Sequence, residues 1–268
     1  MVLYKVPFTT RVFNLKHSLA QRMKQFYDRA LRFDMLTPYR TLHQFNSKTH
    51  LSSWTLITDT IFGGKSDCEL VKTNNNSCVF QGQLYTLTNG KKVLPSFARM
   101  WFVYPALHLD LSDYEEGGIK IKYRTDRPED FQLQFEFNHF MDDIFFYAPL
   151  VPSTLLENTT YYQSGVAYKI QHTKFYTEID PESGEEWLVS EIPFTSFCVN
   201  NMGEETSIGA IRKAKSGTTA PIYDILTLGV GISSLKEGPF SVELKSIEAF
   251  PGNETLKNTT KDTKESEF

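Results

Sequence analysis

The chain has 268 residues, enough for one large β domain with extensions, and its 21 Phe and 13 Tyr favour strands. No stretch approaches the roughly 18 consecutive apolar residues of a membrane-spanning helix, which excludes such a segment. Residues 1–40 contain eight Lys and Arg against two Asp, a balance of +6, so the remaining 20 basic and 30 acidic residues carry a charge of −10. An acidic body argues against nucleic acid as the main partner.

A cationic amphipathic helix is predicted over residues 15–35. Apolar side chains recur there at spacings of three and four, and the rest of the surface carries Arg and Lys with few acids. This composition is typical of a mitochondrial import segment. We therefore expect residues 1–50 to form a basic import-like segment (a transit peptide), a helix and a polar linker. An ordinary helix packed on the domain and a membrane-surface helix are alternatives.

A tight glycine turn is predicted to join the first two strands of the folded domain. The run that begins at Trp54 leads through Asp59 into Gly63-Gly64, and strand character resumes after Ser66. Glycine takes positive φ without steric cost, and short Asp and Ser side chains bond turn amides. We expect positive φ at one glycine or both, and a structural corner that seats Trp54 in the core. A ligand or phosphate cradle is less favoured because the glycines do not open a helix.

A series of short strands follows, with no long helical pattern among them. Alternation at 119–124 and 131–138 predicts one buried and one solvated face, whereas Phe97–Tyr104 is apolar on both faces, as a central strand would be. An all-β antiparallel sandwich spanning 51–251 is therefore expected, with 252–268 as a disordered polar tail. The predicted strands are Ser77–Leu87, Phe97–Tyr104, Gly118–Arg124, Phe131–Asn138, Ile144–Tyr147, Val166–Gln171, Phe175–Ile179, Trp187–Ile192, Leu226–Leu235 and Phe240–Phe250.

Two connecting segments stand out. Tyr39–Ser53 is predicted to be a polar connection into the domain. Cys198–Asp224 lacks a regular pattern and is long for a loop, so it is a candidate binding element. Its cations, Arg212, Lys213 and Lys215, are a candidate partner surface.

No constellation of catalytic residues is predicted. Neither a GxSxG motif nor a Cys/His signature occurs. The cluster His139, Asp142 and Asp143 is interpreted as an ordinary loop in preference to a metal or acid–base site. We therefore predict no catalytic, cofactor-binding or metal-binding residues and no enzyme activity. The three cysteines are expected to be free thiols in a reducing compartment: Cys68, Cys78 and Cys198.

The order of the motifs resembles that of the complex I intermediate-associated protein 30 family, over roughly Ser53 to Pro251. One difference is Pro95-Ser96-Phe97-Ala98-Arg99, where members commonly have Gly-Gly-Phe-Ala-Ser. The residues that carry the resemblance are Trp54, Asp59, Gly63, Gly64 and Ser66; Asp110-Leu111-Ser112, Tyr114 and Gly117; Trp187, Ile192, Pro193, Phe194 and Phe197; and Leu228-Gly229-Val230, Gly238, Pro239, Phe240 and Ile247.

The resemblance implies a galactose-binding-like jelly-roll β-sandwich. It further implies a non-catalytic assembly factor or chaperone without a cofactor, located in the mitochondrial matrix or peripheral to the inner membrane. Its partners would be intermediates of respiratory complex I and other assembly factors. The alternative is a carbohydrate-binding module, because jelly rolls with exposed aromatic residues bind sugars. Its stacking platform would consist of Tyr161, Tyr162, Tyr176 and Trp187.

Overall fold

The computed structural model describes residues 39–46, 48–73, 76–89, 92–104, 109–137, 145–155, 173–181, 183–201, 204–207, 222 and 225–252. Regular structure in these ranges consists of strands and short 3-10 turns, and none of it is a helix able to cross a membrane. The predicted helix at 15–35, the predicted strand Val166–Gln171 and the predicted disordered tail beyond Gly252 lie outside the described residues.

Sixteen strands are described. They are β1 (Arg40–Gln44), β2 (Trp54–Thr58), β3 (Asp67–Lys72), β4 (Cys78–Leu84), β5 (Leu87–Asn89), β6 (Lys92–Leu94), β7 (Ser96–Val103), β8 (Gly118–Arg124), β9 (Phe131–Phe137), β10 (Phe145–Pro149), β11 (Lys174–Ile179), β12 (Glu186–Pro193), β13 (Cys198–Asn201), β14 (Glu204–Ser207), β15 (Ile225–Ser234) and β16 (Gly238–Phe250).

Two seven-stranded antiparallel sheets contain all of these strands except the β5–β6 hairpin. Sheet A has the order β11-β12-β8-β16-β4-β3, with β1 also paired to β16. Sheet B has the order β14-β13-β10-β9-β15-β7-β2. The expected all-β antiparallel architecture is therefore confirmed for the described residues.

The main core lies between the inner faces of the two sheets. In β8, Ile119, Ile121 and Tyr123 are fully buried, whereas the alternating lysines are partly exposed. Phe135 of β9 and Leu228 of β15 are buried on the opposite sheet. Period-two alternation thus decides which side of each strand enters the core. Removal of this apolar surface from water is the main favourable term in folding.

The sandwich begins earlier than the sequence suggests. Arg40–Gln44, in the stretch interpreted as a polar connection, forms β1 and pairs with Ser246–Ala249 of β16. Phe45, directly after this strand, is fully buried in the core. The short, polar sequence of β1 hides its strand character, because it is stabilised by pairing with a distant strand and not by local propensity.

Two further predictions about strands need correction. The start of the Cys198–Asp224 segment is not irregular, because Cys198–Asn201 and Glu204–Ser207 pair as β13 and β14. The strand at Phe97–Tyr104 is an interior strand, β7, paired with β15 and β2, but contrary to expectation it is not buried on both faces. Its outer face is only partly buried. Trp54 on β2 is 7% exposed and belongs to the core, as expected.

Candidate functional site

The glycine turn between β2 and β3 is organised by a buried carboxylate. Asp59 accepts hydrogen bonds from the Ser66 backbone N–H (3.0 Å) and from the Ser66 hydroxyl (2.7 Å). Gly63 has φ +85°, which confirms the expected positive φ. A Cβ on Gly64 would lie 2.1 Å from Asp59 Oδ1, so this position requires a close approach. Tyr85 N–H also donates to the Ser66 hydroxyl (3.1 Å), so these contacts join the turn to the chain after β4, as in a structural corner.

Two large apolar side chains project from this turn into solvent. The turn is a 3-10 segment at Asp59–Phe62, capped by Thr58 Oγ1, which accepts from Thr60 N–H. Ile61 is 64% exposed and Phe62 is 71% exposed. The Phe62 ring lies edge-on to the Phe97 ring of β7, with 6.1 Å between centroids. Ile61 and Phe62, which lead into the glycines in sequence, are therefore surface residues held by a rigid turn.

The exposed ring of Phe62 continues into a row on the outer face of β7. The Arg99 guanidinium carbon lies 4.7 Å from the Phe97 ring centroid and 5.9 Å from that of Trp101. Ile57 of β2 is paired with Arg99 across the strands. All four side chains are partly exposed. Aromatic side chains flanking an arginine make a surface suited to protein contact.

Next to this row, β15 of sheet B carries two buried glycines, Gly229 and Gly231. A Cβ on Gly229 would lie 2.9 Å from Trp101 Cδ1, and one on Gly231 would lie 2.5 Å from Gln134 Nε2. The side chains of Trp101 and Gln134 therefore lie flat on the sheet. Gln134 is 1% exposed, and neither of its amide atoms has a hydrogen-bond partner in the structure. The alternation of residues along β9 predicts that the Gln134 side chain points away from the core. It does not predict that the amide lacks a hydrogen-bond partner.

The outer face of sheet A carries a compensated network of ion pairs. Lys120 and Lys122 contact Glu178 at 3.4 and 2.9 Å, and the hydrogen bond from Lys122 holds the pKa of Glu178 below its usual value. Arg124 contacts Glu185 at 2.9 Å and Glu243 at 3.4 Å. This face therefore presents little uncompensated charge to a partner.

Trp187 lies within this network and not in the core between the sheets. It is 0% exposed because the Arg124 guanidinium carbon lies 3.9 Å from its ring centroid and the Lys245 ammonium lies 5.5 Å away. Its β-strand neighbour Leu188 is the residue paired with the inward-facing Tyr123. The sequence favours a buried core position for Trp187 as for Trp54; Trp187 is fully buried, but beneath side chains of the outer face and not in the core between the sheets.

The sugar-stacking platform predicted from sequence is not assembled in the described structure. Stacking requires an accessible ring face, and that of Trp187 is covered by Arg124. Tyr176 is 38% exposed and donates a hydrogen bond from its hydroxyl to Glu191 at 3.0 Å. Tyr161 and Tyr162 lie outside the described residues.

The other motif residues form corners and core contacts. Asp110 Oδ1 accepts from the Ser112 N–H at 2.9 Å and so closes the corner after β7. Pro193 precedes the 3-10 turn that buries Phe194. Gly238 has φ +131°, and the adjoining Pro239-Phe240 opens β16 with Phe240 buried. The residues that carry the family resemblance therefore mainly shape corners and the core, and Pro239 and Phe240 also line an open pocket on sheet A.

A partly buried histidine links β1 to sheet B. His43 shares a 2.7 Å hydrogen bond between its Nε2 and the Tyr104 hydroxyl, and its ring lies 5.0 Å from Trp54 and 4.5 Å from Phe102. Burial lowers the pKa of His43 to about 4, and burial raises the pKa of Tyr104. At neutral pH the imidazole is uncharged and acts as a packing residue.

An open pocket of about 590 Å³ lies on sheet A beside Gly82. Asp67, Glu69 and Asp126 line it with Cys68, and burial raises the pKa of the Cys68 thiol to about 11. Cys68 and Cys78 are free, as expected, and burial also raises the pKa of Cys78. Thiols with raised pKa values are poor nucleophiles at neutral pH. Across the described ranges, no group of three or more His, Cys, Asp and Glu residues is placed to hold a metal ion.

Several predicted candidates cannot be placed by the structure. The candidate partner cations Arg212, Lys213 and Lys215 lie outside the described residues, as do His139, Asp142 and Asp143. Two of the features reported above were not predicted from sequence, namely the exposed Ile61 and Phe62 and the row on β7. The signal for both was present as apolar residues next to turns, but periodicity does not distinguish a buried run from an exposed one.

Comparison with known proteins relates the chain to one family. The model of the family described as complex I intermediate-associated protein 30 matches residues 43–244. No curated protein matches the chain. Among solved structures, the chain is similar to a family 11 carbohydrate-binding module from Clostridium thermocellum in complex with a beta-1,3-1,4-mixed-linked tetrasaccharide. The sequence identity is 13% and the TM-score is 0.44, and the match covers 80% of this chain and 96% of the module.

A second solved structure is similar to a lower degree. The family 30 carbohydrate-binding module of the cellulosomal cellulase Cel9D-Cel44B of Clostridium thermocellum is 12% identical with a TM-score of 0.34, covering 71% of this chain and 92% of its own. Structural similarity at these TM-scores does not support any conclusion about the ligands of this chain.

Proposed function

Because the chain belongs to the complex I intermediate-associated protein 30 family, we propose that it is a non-catalytic assembly factor that binds intermediates of mitochondrial complex I. The observation that carries the proposal is the extent of the match. Residues 43–244 run from β1 into β16 and so include strands of both sheets. The resemblance therefore concerns the whole sandwich and not one short motif.

The geometry supports binding better than turnover. The motif residues shape turns and the core, which leaves the outer sheet faces and the loops for recognition. The two cysteines with described side chains have raised thiol pKa values, which disfavours nucleophilic catalysis. A stoichiometric binding partner needs only a stable surface, and the sandwich provides one.

The location and the partner surface belong to the same proposal. The basic composition of residues 1–40 supports import, so we place the protein in the mitochondrial matrix, either free or peripheral to the inner membrane. The cations Arg212, Lys213 and Lys215 would attract acidic partner surfaces. Electrostatic attraction of this kind mainly accelerates association.

Deletion of the gene in cells that possess complex I tests the proposal. We expect less mature complex I and an accumulation of membrane-arm intermediates on native gels, with the protein itself in the mitochondrial fraction. Normal complex I in the deletion strain would contradict the assembly role. Re-expression with Arg212→Glu, Lys213→Glu and Lys215→Glu should weaken co-purification of the intermediates. Unimpaired co-purification would reject only this choice of surface.

A further inference from the structure

The most exposed large apolar side chain of the described residues, Phe62, lies with Ile61 on a hydrogen-bonded turn. Ile61 and Phe62 expose 64% and 71% of their surfaces. The backbone beneath them is fixed by hydrogen bonds from Gly63 N–H to Thr60 O (3.0 Å) and from Gly64 N–H to Asp59 O (2.9 Å). An anchor already held in one conformation loses little entropy on binding.

We propose that this turn is the anchor of a protein-docking surface, an inference that rests on the assembly function proposed above. We define the docking row as Ile61 and Phe62 of the turn together with Phe97, Arg99 and Trp101 of β7. The row is continuous, because the Phe62 and Phe97 rings are in contact and the Arg99 guanidinium lies 4.7 Å from the Phe97 centroid. Aromatic residues and arginine are the residue types enriched at the energetic centres of protein interfaces.

Charge identifies the kind of surface that fits. Lys65, three residues after Phe62, is exposed and takes part in none of the ion pairs found in the described residues. The docking row itself contains no carboxylate. The complementary partner is a protein surface with an apolar pocket rimmed by Asp or Glu side chains.

The charge of the whole body favours a protein over a membrane. Exposed Ile and Phe next to a lysine also suit insertion into a bilayer, but residues 41–268 carry a charge of −10. Anionic lipid surfaces repel such a body, whereas a localised acidic rim on a protein contacts only the nearby cations. The docking row is also on a sheet face, which suits a broad protein contact better than shallow insertion.

The test uses the full chain, tagged and expressed in mitochondria that contain complex I. The first variant combines Ile61→Ser with Phe62→Ser, and the second is Lys65→Glu. The matched control is Ile179→Ser, which alters a residue 68% exposed on β11 of the other sheet. All three should keep the wild-type melting temperature, because these side chains are exposed and surface substitutions change stability little.

We expect the double variant to recover about tenfold less of the identified complex I subunits than wild type, as loss of an interface anchor predicts. Lys65→Glu should also lower recovery, and Ile179→Ser should leave it unchanged. Equal recovery by the double variant and the control would overturn the docking row while leaving the assembly function in place. If wild type itself captures no complex I subunit, the assembly function fails and this inference fails with it.

A photo-crosslinking residue at position 62 provides the second measurement. The expected product is an adduct with a complex I protein subunit. Binding of the wild-type protein to vesicles of phosphatidylcholine and cardiolipin, lost in the Ile61→Ser and Phe62→Ser double variant, would overturn the assignment of a protein partner.

Discussion

The turn between β2 and β3 predicts a measurable coupling between Asp59 and Gly64. In Gly64→Ala the new methyl group would lie 2.1 Å from Asp59 Oδ1, and such overpacking costs about 2–3 kcal/mol. In Asp59→Ala the two hydrogen bonds from Ser66 to a buried carboxylate are lost, which costs about 3 kcal/mol. In the double variant the methyl group occupies space that the carboxylate leaves. The combined loss should therefore fall short of the sum by about 1.5–2 kcal/mol.

Urea unfolding followed by tryptophan fluorescence gives the free energy of unfolding for each variant. Gly63→Ala is the matched control, because Gly63 has φ +85° and a Cβ there has no atom within 4 Å. Its cost, about 1–2 kcal/mol, comes from the left-handed backbone and should add to that of Asp59→Ala. If Gly64→Ala and Asp59→Ala prove additive, the close approach of the carboxylate to Gly64 does not govern this turn.

Two further predictions concern buried aromatic and ionisable groups. The pKa of His43 is lowered from 6.5 to about 4 in the folded chain. As the pH falls, His43 therefore binds a proton in the unfolded chain before it does so in the folded chain, and the free energy of unfolding declines from pH 6.5 down to about 4. Acidification to about pH 5 should therefore cost about 2 kcal/mol in wild type and less in His43→Gln, as measured by urea unfolding at each pH. An identical pH dependence in the two proteins would contradict a neutral imidazole at His43. Trp54→Ala and Trp187→Ala should each cost about 3–5 kcal/mol, and an unchanged thermal melt in either would show that its side chain is not buried.

The strands of the inner core could be predicted because their pattern is local. Ile119, Ile121 and Tyr123 alternate with Lys120 and Lys122 in the sequence, and this alternation alone assigns the two faces of β8. The all-β class follows from a series of such segments without long helical patterns. Pairing between distant strands needs further information, which is why β1 was not predicted from its five polar-rich residues.

The position of Trp187 could not be predicted, for a different physical reason. Sequence pattern assumes that a buried tryptophan lies between the sheets. Here the outer face is covered by Arg124 of β8 and Lys245 of β16, which lie 63 and 58 residues from Trp187 in the chain. Glu243 and Asp180 form ion pairs with these two cations, respectively. Such burial depends on ion pairs between distant strands.

The exposure of the turn residues Ile61 and Phe62 could not be predicted either, because here an apolar run lies on the surface. Ile61 and Phe62 follow the β2 strand and resemble a further buried run, yet the Thr58 cap and the buried Asp59 turn the chain into a 3-10 segment that points them outward. The two apolar residues are therefore evident in the sequence, but the sequence does not show whether their side chains face the core or the solvent.

The measurement that tests the central claim most directly is affinity purification of the tagged chain from isolated mitochondria, followed by native electrophoresis and identification of the bound subunits. We predict that the protein migrates with incomplete complex I intermediates and is absent from the mature complex. Migration only as the free 30.8 kDa chain, with no complex I subunit bound, would contradict the account.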